Sequence, residues 1–201
     1  MSTFATWIAN ANDNAARDAA LAVARRAPDA PNPLVLTGKI GSGKTHLLQA
    51  IANELRASVL HLSAAAFVEQ LARAIRTDTS NDFHRRLESL DAILLDDVHL
   101  FTDRERTFQE IVLTLSECAA AGVQVVVTSD VRLPGLTATQ VKIKRPDAAA
   151  RAKILRITAE QRGLPMSETD ARAIARRTHG NVRELHAAVW RLIAERTVTR
   201  A

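Results

Sequence analysis

The sequence predicts an α/β protein in which a three-layer core, built on a parallel β-sheet, is followed by a small helical lid. Short apolar runs alternate with helical periodicity along residues 33–127, a pattern typical of buried parallel strands joined by helices. A glycine-rich loop stands between the first such run and the first helical pattern. From residue 146 onward only helical patterns occur, so we expect a core over residues 1–145 and a lid over residues 146–201.

The first half of the core contains two predicted strand–helix pairs. These are strand 33–37 with helix 45–55, and strand 58–62 with a helix that Ser63 caps. The apolar residues that recur at helical spacing are Leu47, Leu48 and Ile51 in the first helix and Phe67, Leu71 and Ile75 in the second. Because residues three or four apart share a helical face, both helices are expected to pack on the sheet through these side chains.

The second half of the core adds more strands, a long helix and a break. We predict strand 92–95, helix 104–120, strand 123–127 and a last short strand at 141–143. The apolar face of the helix is formed by Phe108, Ile111, Val112 and Leu115. A Leu-Pro-Gly sequence at 133–135 interrupts any regular element between the last two strands.

Three helices are predicted in the lid. They cover residues 147–161, 167–177 and 182–196, and Asn181 is the expected N-cap of the last one. Apolar residues on one face of this helix are Val182, Leu185, Val189, Leu192 and Ile193. The lid should therefore have a small hydrophobic core of its own.

Composition excludes several classes of protein. The chain has 201 residues and one cysteine, so it fits one domain of typical size and forms no intrachain disulfide. It has no cysteine–histidine cluster with zinc spacing, no signal-peptide pattern at its start and no apolar run as long as the roughly 18 residues of a membrane span. We therefore expect a cytoplasmic protein, in which Trp7 and Trp190 are packing residues.

The basic excess of the chain lies in the lid. The net charge is 27 − 22 = +5, and residues 146–201 carry 11 − 6 = +5 while residues 1–145 carry 16 − 16 = 0. The overall charge is thus poor evidence for nucleic-acid binding by the core. The lid is the surface best suited to an acidic partner or a phosphate chain.

A nucleotide-binding motif lies between the first predicted strand and helix. Residues 38–45 match G-x-x-x-x-G-K-[ST] in full, and a strand before the motif and a helix after it are the context that gives it meaning. In such a loop the backbone amides hold phosphates, the lysine binds the β- and γ-phosphates, and the hydroxyl binds Mg²⁺. The candidate nucleotide-binding residues here are Gly38, Gly41, Ser42, Gly43, Lys44 and Thr45.

Acidic residues follow two other predicted strands. Asp96 and Asp97 come directly after the apolar run 92–95, where a carboxylate can face the metal across the phosphate site. Asp96 is the Mg²⁺ candidate together with Thr45, and Asp97 is placed to orient or deprotonate the attacking water. The segment 127–130 ends the next strand with polar residues that could lie beside the γ-phosphate. Each acidic or polar strand end, taken alone, could equally be an ordinary loop start.

In these motifs and their order the chain resembles the AAA+ module of the bacterial replication initiator family, DnaA. The segments that carry the resemblance are residues 32–34, 43–50, 67–130 and 181–185, the last being Asn-Val-Arg-Glu-Leu. The resemblance covers nearly the whole chain. It implies a P-loop NTPase that binds ATP or ADP with Mg²⁺ and acts in replication initiation or its control.

The resemblance also implies roles for further residues. Asp130 would be the sensor 1 residue, Arg183 the sensor 2 arginine, and His46 part of the nucleotide-binding set, while residues 6–13 would lie against the base. The family's consensus asparagine in that segment is replaced by Asp13, with Asn12 and Asn14 beside it.

A helical insertion at about residues 63–90 matches the element of the family that lines a single-stranded DNA path. Four residues stand where the family contacts that strand: Ala72, Arg73, Arg104 and Arg106. A solvated arginine face is an equally good interpretation of the three arginines. The implied partners are thus a DnaA-type initiator or a second copy of this chain, and single-stranded DNA.

The chain departs from the family in two places. Only residues 131–140 separate Asp130 from Val141, so the segment that carries the family's arginine finger is missing, and we expect ATP hydrolysis to be weak. The helix-turn-helix domain for duplex origin boxes is also missing, so we expect no sequence-specific binding to duplex DNA.

Three other functions compete with that of an ATP-dependent initiator. A regulatory module that docks on an initiator, with little or no ATPase activity of its own, is the main alternative. An inactivator tethered to the sliding clamp is disfavoured, because residues 1–7 lack a clamp-binding peptide. A P-loop kinase is disfavoured because the insertion shows no substrate pocket.

Overall fold

The computed structural model describes residues 2–8, 10, 14–55, 58–178 and 182–198. Its strands are β1 (Leu34–Thr37), β2 (Val59–Ser63), β3 (Ala92–Asp96), β4 (Gln124–Ser129) and β5 (Thr139–Lys142). The helices of the core are α1 (Ala15–Ala24), α2 (Lys44–Glu54), α3 (Ala64–Arg76), α4 (Ser80–Glu88) and α5 (Glu105–Ala120), with a 3-10 turn at Val98–Phe101. The helices of the lid are α6 (Ala148–Glu160), α7 (Glu168–Arg177) and α8 (Val182–Val198).

The five strands form one parallel sheet in the order β2-β3-β4-β1-β5. One face packs against α3, α4 and α5 in a cluster that includes Phe67, Leu87 and Ile111. The other face packs against α1 and α2 through residues such as Val23 and Leu48. The predicted three-layer α/β core is therefore confirmed. The carboxyl ends of β1, β4 and β3 lie side by side, so the loops that follow them meet at one edge.

Short polar side chains begin several helices, and the cap predicted at Ser63 is confirmed. The Ser63 hydroxyl accepts a hydrogen bond from the Ala66 amide at 3.2 Å, and the Asp147 carboxylate accepts one from the Ala150 amide at 2.8 Å. Such caps satisfy amides that have no partner within the helix. The expected cap Asn181 lies outside the described residues.

The structure corrects four details of the sequence interpretation. Helix α1 is absent from the predicted elements, although Ala16, Ala20 and Val23 are buried at helical spacing. Ile75 is predicted on the buried face of α3, but it is 56% exposed because Ala74, at 6% exposure, takes the buried position in the last turn. Trp190 is predicted to pack, yet it is 57% exposed. Strand β5 also begins two residues earlier than predicted, at Thr139.

The connection between β4 and β5 is short for two parallel strands. A crossover between parallel strands usually has about a dozen residues or more and commonly contains a helix. Here residues 130–138 alone connect β4 to β5, although β1 lies between these two strands in the sheet. Leu133 and Leu136 from this connection are 2% and 5% exposed and join the core beneath α5. An extended chain thus covers a part of the sheet that a helix would otherwise cover.

The lid has its own hydrophobic cluster, formed by residues of α6, α7 and α8 such as Leu155, Ala171 and Leu185. Helix α6 packs against both other lid helices. Among the described helices of the whole chain, none combines the length and the apolar character that crossing a bilayer would need.

Candidate functional site

The glycine-rich loop connects β1 to the first turn of α2. Gly38 has no room for a side chain, because an added Cβ would lie 2.6 Å from the Ile143 carbonyl oxygen and 2.7 Å from the Ser42 hydroxyl. Gly43 has a φ of 101°, in the left-handed region that favours glycine. An added Cβ there would lie 2.9 Å from Trp7 Nε1. The motif glycines therefore allow the loop to fold tightly around the amino end of α2.

Lys44 is buried at this end of the helix, with 5% of its surface exposed. Its ammonium donates to the Gly38 carbonyl oxygen at 2.7 Å and to Asp130 Oδ1 at 2.5 Å. A buried ammonium needs such partners because desolvation of an unpaired charge is costly. The predicted P-loop lysine and the predicted sensor 1 residue are thus in direct contact.

The paired aspartates are fixed to the neighbouring strand by a buried threonine. Thr128, which is fully buried in β4, donates its hydroxyl to Asp96 Oδ1 at 2.5 Å and accepts from the Asp97 amide at 2.8 Å. This side chain holds both aspartates relative to β4 and hence to Asp130. The sequence indicates only that polar groups end this strand.

A histidine that sequence analysis does not assign lies between two acidic groups. His99 Nδ1 is 3.9 Å from Asp97 Oδ1, and Nε2 is 3.8 Å from Asp130 Oδ2. The ligand atoms of these three residues lie within 4.8 Å of one another. Asp97 has a φ of 62°, which turns the chain sharply after β3. The only signal available in the sequence is the position of His99, two residues after Asp97.

Burial raises the pKa of the Asp97 carboxyl above its ordinary value of 3.8, and the neighbouring Asp96 raises it further, against the opposing effect of His99. A carboxylate in such surroundings is a better base than one in water. The geometry and the charge of this cluster suit oxygen-ligated divalent cations and proton acceptance from a nearby water.

A cavity of about 260 Å³ lies between the glycine-rich loop, the N-terminal segment and the lid. Its lining includes Trp7, Gly43, His46, Ile157 and Arg162, and among the described residues no aspartate or glutamate contributes to it. The Val182 amide at the start of α8 donates to the Gly41 carbonyl oxygen at 3.1 Å. This hydrogen bond joins the lid directly to the loop.

The N-terminal segment is fastened over the cavity by His46 and Asn10. His46 Nε2 lies 3.1 Å from the Thr3 carbonyl oxygen and 3.2 Å from Thr6 Oγ1. Asn10 donates to the Arg145 carbonyl oxygen at 2.9 Å and accepts from the Asp147 amide at 2.8 Å. Asn10 thereby ties this segment to the junction of core and lid, a role that the sequence does not reveal.

The remaining predicted nucleotide-binding residues lie around the same edge. Ser42 is buried and its hydroxyl has no hydrogen-bond partner among the described residues, while Thr45 is exposed in the first turn of α2. Arg183 is exposed in the first turn of α8, one residue after the Val182 contact with the loop. Asp13 and Asn12 lie outside the described residues.

The predicted DNA-contacting residues lie on a different part of the core. Arg73 is exposed on α3, where it lines a groove of about 570 Å³ between α3 and α4. Arg104 and Arg106 are exposed at the start of α5, and the Arg104 guanidinium lies 5.5 Å from the centre of the Phe101 ring. Ala72 is partly buried. Arg86, which the sequence interpretation omits, also lines the groove.

Two features define the P-loop class of nucleoside triphosphatases. One is a glycine-rich loop between a strand and a helix, and the other is a pair of carboxylates at the end of a second parallel strand. The comparisons with known proteins then identify the family. The chain belongs to the bacterial DnaA ATPase domain family, whose model matches residues 1–145.

Individual relatives agree with this assignment. The chromosomal replication initiator protein DnaA of Thermus thermophilus is 34% identical over 209 residues, which covers 96% of this chain and 48% of the relative. The crystal structure of domain III from the Thermotoga maritima replication initiation protein DnaA matches with a TM-score of 0.87 and 26% identity, over 98% of this chain and 90% of that one. A structure of replication initiator DnaA bound to AMPPCP and single-stranded DNA matches with a TM-score of 0.81 and 26% identity, over 96% of this chain and 64% of that one.

The chain spans about half the length of the curated relatives that it matches. The α/β core with its helical lid is thus the fold of the DnaA ATPase domain.

Proposed function

We propose that this protein binds ATP or ADP with Mg²⁺ and acts as a DnaA-type AAA+ protein in the initiation of DNA replication or its control. The observation that carries the proposal is the buried Lys44 ammonium, held beside Asp130 at the edge where the glycine-rich loop and the paired aspartates meet. A related DnaA structure contains AMPPCP, an ATP analogue. Binding of phosphates to Lys44 would replace its contact with Asp130.

The nucleotide would span two parts of the site. Its phosphates would lie on the loop amides and Lys44, and its base would enter the cavity beside Trp7 and His46, which the lid covers. Arg183, exposed in the first turn of α8, would approach the phosphates from the lid. The cavity lining combines Trp7 and apolar side chains such as Ile157 with polar groups. This mixture suits a flat base, because ligand sites pair apolar walls with a few polar groups that fix orientation.

The residues present fit a magnesium ion. Thr45 and Asp96 supply the oxygen ligands that Mg²⁺ prefers, and Thr128 fixes the Asp96 carboxylate by a hydrogen bond. A bound Mg²⁺ would neutralise phosphate charge. Asp97, whose pKa is raised mainly by burial, would orient the attacking water and accept its proton.

Nucleotide occupancy would also control association with related subunits. The hydrogen bond from Val182 to Gly41 connects the lid to the loop that would surround the phosphates. A change in that loop on nucleotide binding would therefore move the lid relative to the core. The partner would be a DnaA-type initiator or a second copy of the chain, because both carry the same ATPase fold.

Single-stranded DNA is the further ligand that we propose for the core. Arg73, Arg104 and Arg106 are exposed and make no salt bridge within the part of the chain that the structure describes, so their charges are available to phosphates. A related DnaA structure holds single-stranded DNA. Ala72 lies next to Arg73 and would leave room for the strand.

Substitution of Lys44 tests the central claim. Lys44→Ala should weaken ATP binding by at least about 10- to 100-fold, because charge-assisted hydrogen bonds to phosphate are lost. Lys39→Ala, which removes an exposed lysine from the same loop, is the matched control and should bind ATP like the unchanged protein. Titration calorimetry measures both, with circular dichroism to verify folding. Unchanged ATP affinity in folded Lys44→Ala would refute the proposal.

A second function, a regulatory module with little ATPase activity of its own, is favoured by the short connection over residues 130–138. This connection leaves no room for the finger segment that the family carries there. An arginine supplied by a neighbour can accelerate hydrolysis by about 10³- to 10⁵-fold. Turnover should therefore be measured alone and with a full-length DnaA that has its finger. Acceleration by that partner supports a competent ATPase, and its absence supports the regulatory module.

A further inference from the structure

One arginine of the lid lines the nucleotide cavity and also stacks on an exposed aromatic ring. The Arg162 guanidinium carbon lies 4.1 Å from the centre of the Trp190 ring. Arg162 contributes to the cavity lining, whereas Trp190 does not. The tryptophan therefore lies behind the arginine as seen from the cavity.

The position of Arg162 is fixed by the end of helix α6. Its amide donates to the Ala159 carbonyl oxygen at 3.0 Å, and Gly163 follows with a φ of 69°. A glycine in the left-handed region ends a helix, so Arg162 is the last residue before the chain turns away. Its side chain is thereby presented at the mouth of the cavity rather than along the helix surface.

Among the described residues, no carboxylate pairs with Arg162. No acidic residue among those described lines the cavity, and within the same part of the chain the guanidinium makes no salt bridge. His186 also lines the cavity. Its pKa is lowered mainly by burial and then by the charge of Arg162. The stack on Trp190 is thus the contact that orients this guanidinium.

A guanidinium group is planar and has two faces that can stack on aromatic rings. We propose that Arg162 is a base-contacting residue of the nucleotide site: Trp190 holds one face of its guanidinium, and the adenine ring stacks on the other. The inference rests on the proposed nucleotide binding and adds the lid residue that recognises the base. Trp190 acts through Arg162 and is a positioning residue.

Arg162 is expected to contact the base of the ligand and not its phosphates. Arg162→Ala should weaken binding of ATP, ADP and adenosine by a similar factor, about 3- to 30-fold, because the loss is a cation–π contact with the base. Binding of inorganic tripolyphosphate should stay unchanged. Arg162→Lys should recover only part of the affinity, since an ammonium lacks the planar face. Arg156→Ala removes an exposed arginine of α6 that does not line the cavity, and this variant should bind all four ligands normally.

Trp190 supplies an independent check through a double-mutant cycle. Trp190→Ala should weaken adenosine binding less than Arg162→Ala does, and the double variant should be no weaker than Arg162→Ala alone, because the two side chains act as one unit. Competition titrations with a labelled nucleotide provide these affinities, and thermal melting verifies that each variant is folded.

Two outcomes would overturn the inference while leaving nucleotide binding intact. One is an adenosine affinity that Arg162→Ala does not change. The other is a loss that grows from adenosine to ADP to ATP, which would assign Arg162 to the phosphates. Failure of the unchanged protein to bind ATP would instead reject the proposed function itself, so the two failures are distinguishable.

Discussion

At the scale of single residues, the ion pair between Lys44 and Asp130 is the contact that the phosphates of a bound nucleotide would have to displace. The two atoms lie 2.5 Å apart, and the lysine is almost fully buried. Phosphate oxygens and the Asp130 carboxylate would compete for the same ammonium. The free protein is therefore stabilised by a contact that a bound nucleotide would have to break.

Neutralising this competitor should strengthen nucleotide binding. Asp130→Asn keeps a hydrogen-bond acceptor for Lys44 but removes the negative charge, so we expect ATP and ADP to bind about 3- to 10-fold more tightly. Hydrolysis should slow, because the side chain lies beside the aspartates that we propose for Mg²⁺ binding and water activation. Calorimetry and phosphate-release assays measure the two effects. Weaker binding by a folded Asp130→Asn protein would show that the carboxylate assists the nucleotide rather than opposing it.

His46 should make stability depend on pH. Burial lowers its pKa below the ordinary value of 6.5, so between its folded and unfolded pKa values the unfolded chain binds more protons. Stability is then fully present above about pH 6.5 and is lost as the pH falls through the folded pKa. His186 shifts in the same direction.

Melting temperatures at pH 7.5 and pH 5.5 test this behaviour. The unchanged protein should lose more stability at the lower pH than His46→Gln does, because glutamine can retain a hydrogen bond to the N-terminal segment without titrating. His61→Gln, an exposed histidine on β2, should behave like the unchanged protein. Equal losses in all three proteins would remove His46 as the cause.

Residue roles are predictable where the chemistry is local in sequence. The loop with Lys44 and the pair at Asp96 are contiguous motifs, and the structure places them side by side. Asn10 and His99 are not assigned to the site by sequence, and Thr128 is assigned only as part of a polar strand end, because each acts on residues from a distant segment. Asn10, for example, bridges to residues 145 and 147, a pairing that no local pattern encodes.

At the scale of elements, the start of α8 is the point where the lid meets the nucleotide loop. Val182 is the first residue of the helix and uses its amide on Gly41 rather than within the helix. The first amides of a helix are free for such contacts. One backbone hydrogen bond therefore links the lid to the loop, and the relative position of these two elements would change when a nucleotide binds.

A proline at this position removes the link selectively. The first turn of a helix tolerates proline, because its missing amide has no partner within the helix. Val182→Pro should weaken ATP binding by roughly 3- to 10-fold, the value of one hydrogen bond, while Val182→Ala should retain the amide and nearly all of the affinity. Circular dichroism should show equal helix content. Equal affinities of the two variants would mean that the Gly41 contact plays no part in binding.

The elements themselves are largely predictable, since apolar periodicity locates the strands and most helices of the described chain. Helix α1 escapes prediction because its buried residues are mainly alanines, which give a weak hydrophobic signal. Ile75 continues the spacing of Phe67 and Leu71, yet the buried residue in the last turn of α3 is Ala74. Spacings of three and four both fit one helical face, so periodicity alone does not decide which of two adjacent residues is buried.

At the scale of the whole molecule, a single-strand path across the core would depend on separate elements. Arg73 belongs to α3 and Arg106 to α5. Replacing both by alanine should weaken single-stranded DNA binding and reduce the salt dependence of the binding constant by about 1.4 in its logarithmic slope, at roughly 0.7 per lost phosphate contact.

A lid variant with the same loss of charge is the control. Arg176→Ala combined with Arg177→Ala removes two exposed arginines from α7, and it should leave the slope unchanged if the path crosses only the core. Fluorescence anisotropy of a labelled oligonucleotide at several salt concentrations provides the slopes. Identical slopes for the core variant and the unchanged protein would exclude the proposed path.

The two tryptophans give the molecule a property that follows from where they lie. The chain contains two tryptophans and no tyrosine. Trp7 lines the nucleotide cavity next to Gly43, and Trp190 stacks on Arg162 at its mouth. Indole emission from this protein therefore comes from two sites near the cavity: a buried tryptophan in its lining and an exposed tryptophan behind Arg162. Ligand titrations can be followed by intrinsic fluorescence alone, and replacing either indole separates the signal of the N-terminal segment from that of the lid.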